Sequence, residues 1–227
     1  VGYRTAAAVD NANLSKALGL AQGFDDYLES WDEANTEFER SELLTSFGEK
    51  FLAKNPKDKR PFFLWIHFVN PHTPYNPPEK HLAHFQDDGI VERGPQLKNV
   101  VGYHGGVNRK MSTAGATHWG DYVDRYDAEI HYADANVGRL LTSLAKSPWA
   151  SNTLVLFTSD HGESLGEHNY FFDHGYNLFN PSLSIPLIIS FPGFLPQGER
   201  VAGAVTSLDI YPTILDLAQV SFPANLQ

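Results

Sequence analysis

The stretch "TLVLFTSDHGESLGEHNYFFDHG", Thr153 to Gly175, decides how the chain is read. It begins with a short, continuously apolar run, the pattern of a strand covered on both faces rather than of a half-exposed one. The run ends at Asp160 and His161, and a glycine- and aromatic-rich loop then carries His168 and His174. In open α/β sheets, ligands sit beyond the carboxyl ends of the strands, so an acid and an imidazole at this position point to binding of a cation or an oxyanion. A hydrated surface loop is the competing reading, and the rest of the chain has to weigh against it.

Working outward, "PFFLWIHFV" (61–69) and "IPLIIS" (185–190) are also continuously apolar, and "YRTAAAV" (3–9) and "GAVTS" (203–207) complete five expected strands. Between them, "SELLTSFGEKFLAK" (41–54) and "DRYDAEIHYADANVGRLLTSLAKS" (124–147) repeat apolar residues at helical spacing. Asp209 is placed to cap a helix over 210–218, with Pro212 tolerated in its first turn. Strand–helix alternation with buried strands predicts an α/β fold, a mostly parallel sheet flanked by helices. The segment 70–120 departs from this pattern. It is rich in proline, glycine and histidine without periodicity, and is expected to be a long loop-rich excursion.

"NPHTPY" (70–75) follows the strand over 61–69, so His72 also lies beyond a carboxyl end. If the strands over 61–69 and 153–159 are neighbours, Asp160, His161 and His72 share one rim, and His174 is within reach of it. Each has a plainer reading. Asp160 suits a turn cap, and a lone histidine between prolines is more often a loop hydrogen-bonder. Two adjacent ligands also fall short of the roughly six or more oxygens that Ca2+ takes. His168 is assigned a structural or substrate-side role. His67 and His131 are expected to be packed, and His81, His84, His104 and His118 to be exposed. Asp121 and Asp124 are read at a helix start, and Asp25-Asp26 in a turn. Trp119 and Tyr122, at the start of a helix, are read as core more readily than as a stacking platform.

Composition narrows the classes. The 227 residues suffice for one sizeable domain, and 42% apolar with 19% charged residues is an ordinary globular balance. A formal charge of −10 argues against nucleic acid as the main partner. There is no cysteine, so any metal must be held by oxygen and imidazole. No apolar stretch reaches the length of a membrane span. The first residues show no secretory leader, and the chain does not start with Met, which reads as a processed or cut chain whose compartment is undetermined. Neither a G-x-S-x-G elbow, nor a phosphate-cradling glycine loop, nor an H-E-x-x-H helix occurs.

The series "GYRTAAAVDN…GLAQGFDDY", "PFFLWIHFVNPHTPYNPPEKH", "YDAEIHYADANVGRLL", "TLVLFTSDHGESLGEH", "HGYNLFNPSLSIPLIISFPG" and "VTSLDIYPTILDLA" resembles, in order and over nearly the whole chain, a sulfatase of the alkaline phosphatase superfamily. The resemblance implies an alkaline-phosphatase-like sulfatase core, incomplete at both ends: residues 1–227 as the central and C-terminal part of one catalytic domain. It implies that Asp160 and His161 bind a divalent cation, Ca2+ foremost with Mg2+ or Mn2+ as alternatives. It also implies that His72 and His174 contact the sulfate or the leaving oxygen of a small-molecule or glycan sulfate ester. Members of the family carry a first-strand aspartate pair and a formylglycine nucleophile made in a C-x-P-x-R or S-x-P-x-R motif, and this sequence contains neither. The chain alone is therefore expected to be inactive and to bind the cation weakly or not at all. An exposed sheet edge is expected to pair with a companion fragment or a second copy. The family is often secreted, periplasmic or lysosomal. Two other readings stay open: phosphomonoester or phosphonate ester hydrolysis (or phosphoryl transfer) on the same superfamily site, and a non-catalytic module binding sulfated glycans or a protein. Asn180-Pro181 and Ser184 also depart from residues common in the family.

Overall fold

The computed structural model describes residues 2–53, 59–86, 93–102 and 104–221. In chain order the elements are β1 Arg4–Val9, β2 Asp26–Glu29, α1 Glu37–Ala53, β3 Phe62–His67, α2 Glu79–Leu82, β4 Asn99–Val100, β5 Val107–Asn108 and α3 Trp119–Ala145. They continue with β6 Val155–Thr158, β7 Ser164–Leu165, β8 Phe171–Asp173, α4 Asn180–Leu183, β9 Leu187–Ser190 and α5 Ile210–Leu217. The chain divides into two compact units: Val1–Ala150 with Glu163–Tyr176, and Ser151–Gly162 with Asn177–Gln227.

In the first unit, β1 lies between β2 and β3, and both pairings are parallel. Ala6, Ala7, Ala8 and Val9 are fully buried. Three alanines in a row leave the sheet surface flat, which lets α1 pack directly on β1 and β3. α1 in turn packs along α3, where a buried Thr45 hydroxyl donates to Asn136 Oδ1 at 2.9 Å. At Gly48 the helices come close: a Cβ would fall 2.5 Å from Leu140 Cδ2 and push that side chain aside. Part of the 70–120 segment folds into α2, β4 and β5, and a second sheet runs β4-β5-β8-β7. Beneath it Tyr75, Val107, Tyr122, Val123 and Phe172 form a buried cluster, with Tyr122 and Phe172 stacked at 4.6 Å. Tyr122 is thus a core residue, and Trp119 anchors beside it by donating its indole N–H to the Leu165 carbonyl at 2.6 Å.

In the second unit, β6 and β9 pair antiparallel, with Leu156 opposite Ile189. Among the described strands most pairings are thus parallel, with β6–β9 and β7–β8 antiparallel. The expected strand at 203–207 does not form. Thr206 instead caps a 3-10 turn over Ser207–Asp209, its N–H donating to Asp209 Oδ2 at 2.7 Å. A side chain that satisfies the local backbone competes with a ladder, and here it wins. Asp209 accordingly serves as the third residue of that turn, not as the side-chain cap of α5.

Four other expectations move. Asp26 starts β2 rather than sitting in the turn, while Asp25 holds the β1 end by accepting the Thr5 N–H at 3.1 Å. α1 begins at Glu37, ahead of residue 41, and Lys54 lies outside the described residues. α3 starts at Trp119, where Asp121 closes a capping box on His118. His81 is not exposed: it is buried, with its Nδ1 3.2 Å from Nδ1 of His131, because α2 docks on α3.

Candidate active site

In the first unit the residues 70–76 present His72 from a short crossing after β3, with cis bonds at Asn70-Pro71 and Thr73-Pro74. Proline removes backbone donors, so this segment is fixed by side chains instead. Asn70 donates its amide to Glu37 at 2.8 Å and also to Glu129, while its carbonyl accepts from Ser41 at 2.7 Å. Glu129 takes the Asn76 N–H at 2.9 Å, so one buried carboxylate grips both ends of the segment. Burial pushes Glu129 up to about 7, against the hydrogen bonds from Asn70 and Asn76, and pushes Glu37 up to about 8 with help from the Glu129 charge. His72 donates Nδ1–H to the Thr73 carbonyl, the only role a carbonyl partner allows.

His174 follows β8. Its N–H donates to Asp173 Oδ1 at 2.9 Å and its carbonyl accepts from the Tyr170 hydroxyl at 2.9 Å. The ring lies 4.9 Å from the His72 ring, edge to face. Its Nδ1 sits 3.2 Å from Glu163 Oε1, and the Tyr75 hydroxyl donates to Glu163 Oε2 at 3.1 Å. Burial, then the Glu163 charge, raises Tyr75 well above its ordinary value, so it stays a donor. Asp173 is raised by burial against the hydrogen bond from His174. His168 occupies an exposed turn with left-handed backbone, φ 56°.

In the second unit, β6 delivers Asp160 and His161 directly beyond its carboxyl end. Asp160 is largely exposed, and its Oδ1 lies 3.7 Å from His161 Nε2. His161 Nδ1 is 2.9 Å from the Gly162 carbonyl and must donate to it, which leaves the lone pair on Nε2, the tautomer a metal ligand needs. Gly162 is obligatory here: a Cβ would fall 2.0 Å from the Pro181 carbonyl oxygen, and its N–H donates to Ser182 O at 2.9 Å. The α4 segment, including Pro181 and Ser184, thus closes tightly on the backbone that follows the Asp-His pair. Within the described residues no group of three or more His, Asp or Glu is arranged to hold a metal ion. Asp160 and His161 fit part of a divalent-cation site, an anionic oxygen beside an imidazole nitrogen, and not a whole one.

The sequence matches the Sulfatase family model over residues 2–220. The chain belongs to the sulfatase family. It is 32% identical over 195 residues to an arylsulfatase of Clostridium perfringens, covering 78% of this chain and 38% of that protein. It is 36% identical over 106 residues to an N-acetylglucosamine-6-O-sulfatase of Bacteroides thetaiotaomicron, covering 47% of this chain and 19% of that protein. The fold is shared with BT4656, solved in complex with its substrate D-glucosamine-2-N,6-O-disulfate, at a TM-score of 0.75 and 23% identity over 100% of this chain and 60% of that one. It is shared also with the phosphonate monoester hydrolase of Agrobacterium radiobacter, at a TM-score of 0.71 and 19% identity over 96% of this chain and 56% of that one. This sulfatase chain spans 38% of the arylsulfatase and 34% of a Formosa agariphila sulfatase. Sulfatases generally use a divalent metal. Sequence reasoning missed the partners of the histidine segments: Glu163 pairs with Tyr75 across 88 positions and with His174 across 11, and Glu129 pairs with Asn70 across 59, so no local pattern encodes them.

Proposed function

We propose that the complete protein hydrolyses the sulfate ester of a small molecule or glycan, with His72 and His174 meeting the sulfate or leaving oxygen and Asp160 and His161 contributing to a divalent-cation site, Ca2+ foremost. The observation that carries this reading is the His72–His174 pair, two imidazoles from segments far apart in sequence held edge to face at 4.9 Å in a chain of this family. In both rings Nδ1 is committed, to Thr73 O and to Glu163, so a substrate oxygen would be met through Nε2. Protonated, either ring would donate to the ester oxygen as it departs, a general-acid role. A bound cation would supply positive charge against the sulfate oxygens. His168 is assigned a lesser substrate-side role. The nucleophile is assigned to a segment upstream of this chain, which holds no C-x-P-x-R or S-x-P-x-R motif, so the 227-residue chain alone is expected to turn over no aryl sulfate.

The second reading, phosphonate or phosphate ester hydrolysis, draws on the fold shared with the phosphonate monoester hydrolase. Rates of the complete protein on matched aryl sulfate, phosphate and phosphonate esters separate the two. Preference for the sulfate by a factor of ten or more is the expected result; preference for either phosphorus ester overturns the sulfatase reading. No turnover of any of the three by the complete protein would favour a non-catalytic glycan-binding role.

A further inference from the structure

Glu163 directly follows the Asp-His-Gly motif, yet its side chain is only 6% exposed and belongs to the unit that carries the histidine pair. Its two oxygens serve two different donors. Oε1 faces His174 Nδ1 at 3.2 Å and Oε2 accepts the Tyr75 hydroxyl at 3.1 Å. Tyr75 is itself fully buried and lies in the same short segment as His72, with its N–H fixed to Thr113 Oγ1 at 2.9 Å. One carboxylate therefore reaches both histidine-bearing segments.

We propose that Glu163 is the positioning residue of this site: it holds the His174 imidazole with the proton on Nδ1 and Nε2 directed to the substrate, and through Tyr75 it keeps the His72 segment in register with that ring. The proposal rests on the reading that His174 meets the substrate. A carboxylate only accepts, so its partner nitrogen must carry a proton. Without such a partner a neutral imidazole takes either tautomer; with the proton held on Nδ1, Nε2 is the atom that takes up the second proton and, in the imidazolium, donates it to the leaving oxygen. The negative charge also favours the imidazolium, which is the form that donates to a leaving oxygen.

The other contacts described around the ring do different work. Asp173 spends Oδ1 on the backbone N–H of His174. Tyr170 donates to the His174 carbonyl, and His72 meets the ring by its edge. Tyr126 stands against Tyr75 and senses the Glu163 charge.

Glutamine is the informative replacement. Glu163 accepts from both Tyr75 O–H and His174 Nδ1–H, whereas Gln offers one acceptor and one donor and so leaves one partner unmatched or forces His174 to change tautomer. The first experiment labels histidine with 15N in the complete protein and reads the ring nitrogens by long-range proton–nitrogen correlation, with His174→Ala assigning the signal. The expected result is a neutral His174 protonated at Nδ1 in the wild type and shifted toward Nε2 in Glu163→Gln. A wild-type ring protonated at Nε2, or a tautomer unchanged by the substitution, overturns the proposal. Tyr75→Phe, which removes a single hydroxyl, gives an independent variant should Glu163→Gln fail to fold, and is expected to broaden or move the His174 signals without abolishing the Nδ1 proton.

The second experiment measures hydrolysis of an aryl sulfate by the complete protein. Glu163→Gln is expected to lower kcat roughly 10- to 100-fold with KM changed less than about threefold. A kcat within about threefold of wild type overturns the proposal. His174→Ala separates the two layers: if that variant keeps full activity, the substrate role of His174 fails and the catalytic part of the Glu163 assignment fails with it, while the tautomer measurement still reports whether Glu163 orients the ring.

Discussion

Replacing Glu129 by Gln should flatten the pH dependence of stability. Glu129 is 1% exposed, and burial raises it from its ordinary 4.5 to about 7. A carboxyl whose folded value lies above its unfolded value binds a proton in the native state after the unfolded chain has lost it. Its contribution is therefore fully present below about pH 4.5 and is lost as pH rises through about 7. A gap of about 2.5 between those values, at about 1.4 kcal/mol for each, amounts to about 3 kcal/mol. Glu37 acts in the same direction, and part of its own elevation comes from the Glu129 charge, so the two effects overlap rather than add. Gln keeps the volume and an acceptor for the Asn76 N–H without the charge. Urea denaturation followed by fluorescence of the four tryptophans, at intervals from about pH 5 to about pH 8, compares the two proteins. Between those limits the wild type should lose about 2.5 kcal/mol more than the variant. Groups shared by both proteins, such as Asp173 and Asp121, cancel in the comparison. Parallel curves, within about 1 kcal/mol of each other across the range, would refute the argument that Glu129 is charged only at a cost.

Phe172→Ala should destabilise the first unit by about 3–5 kcal/mol in chemical denaturation, since the ring is fully buried and stacks on Tyr122; a loss below about 1 kcal/mol would contradict that packing. Gly162→Ala should perturb the turn carrying the Asp-His pair, because its Cβ meets the Pro181 carbonyl at 2.0 Å; an unchanged thermal midpoint and amide spectrum would show that the backbone yields freely. Arg139→Ala should cost no more than about 1 kcal/mol despite two ion pairs, because the guanidinium is 39% exposed and solvent screens both Glu42 and Glu49; a larger loss by urea titration would refute the discount. Asp160→Asn should weaken Ca2+ binding by the complete protein at least about tenfold by calorimetry, and equal affinity would remove Asp160 from the ligand set.

The parts of the fold legible in the sequence are those written in a continuous local pattern. β1 and β3 are apolar runs, and α1 and α3 repeat apolar residues on one face, so each was placed to within a few residues. The starts of both helices were missed because capping is polar: Glu39 accepts from the Thr36 N–H at 3.1 Å and Asp121 from the His118 N–H at 2.8 Å, upstream of the apolar stripe. β2, β7 and β8 span two to four residues and owe their existence to partners elsewhere in the chain. The burial of His81 likewise depends on where α2 docks, which its own neighbours in sequence do not state. In the site, His72 is legible as a residue beyond a strand and His174 only as one closing a glycine-containing loop, and their meeting depends on β8 and the Glu163 anchor. That anchor is invisible in one dimension, because a carboxylate acquires its role only from the donors that the fold brings to it.

The most direct test of the account is kcat/KM of the complete protein on an aryl sulfate, compared for wild type, His72→Ala and His174→Ala prepared together. The account predicts that at least one of the two substitutions lowers it by about 100-fold or more, as loss of a group at the leaving oxygen requires. Values for both variants within about twofold of wild type would contradict it.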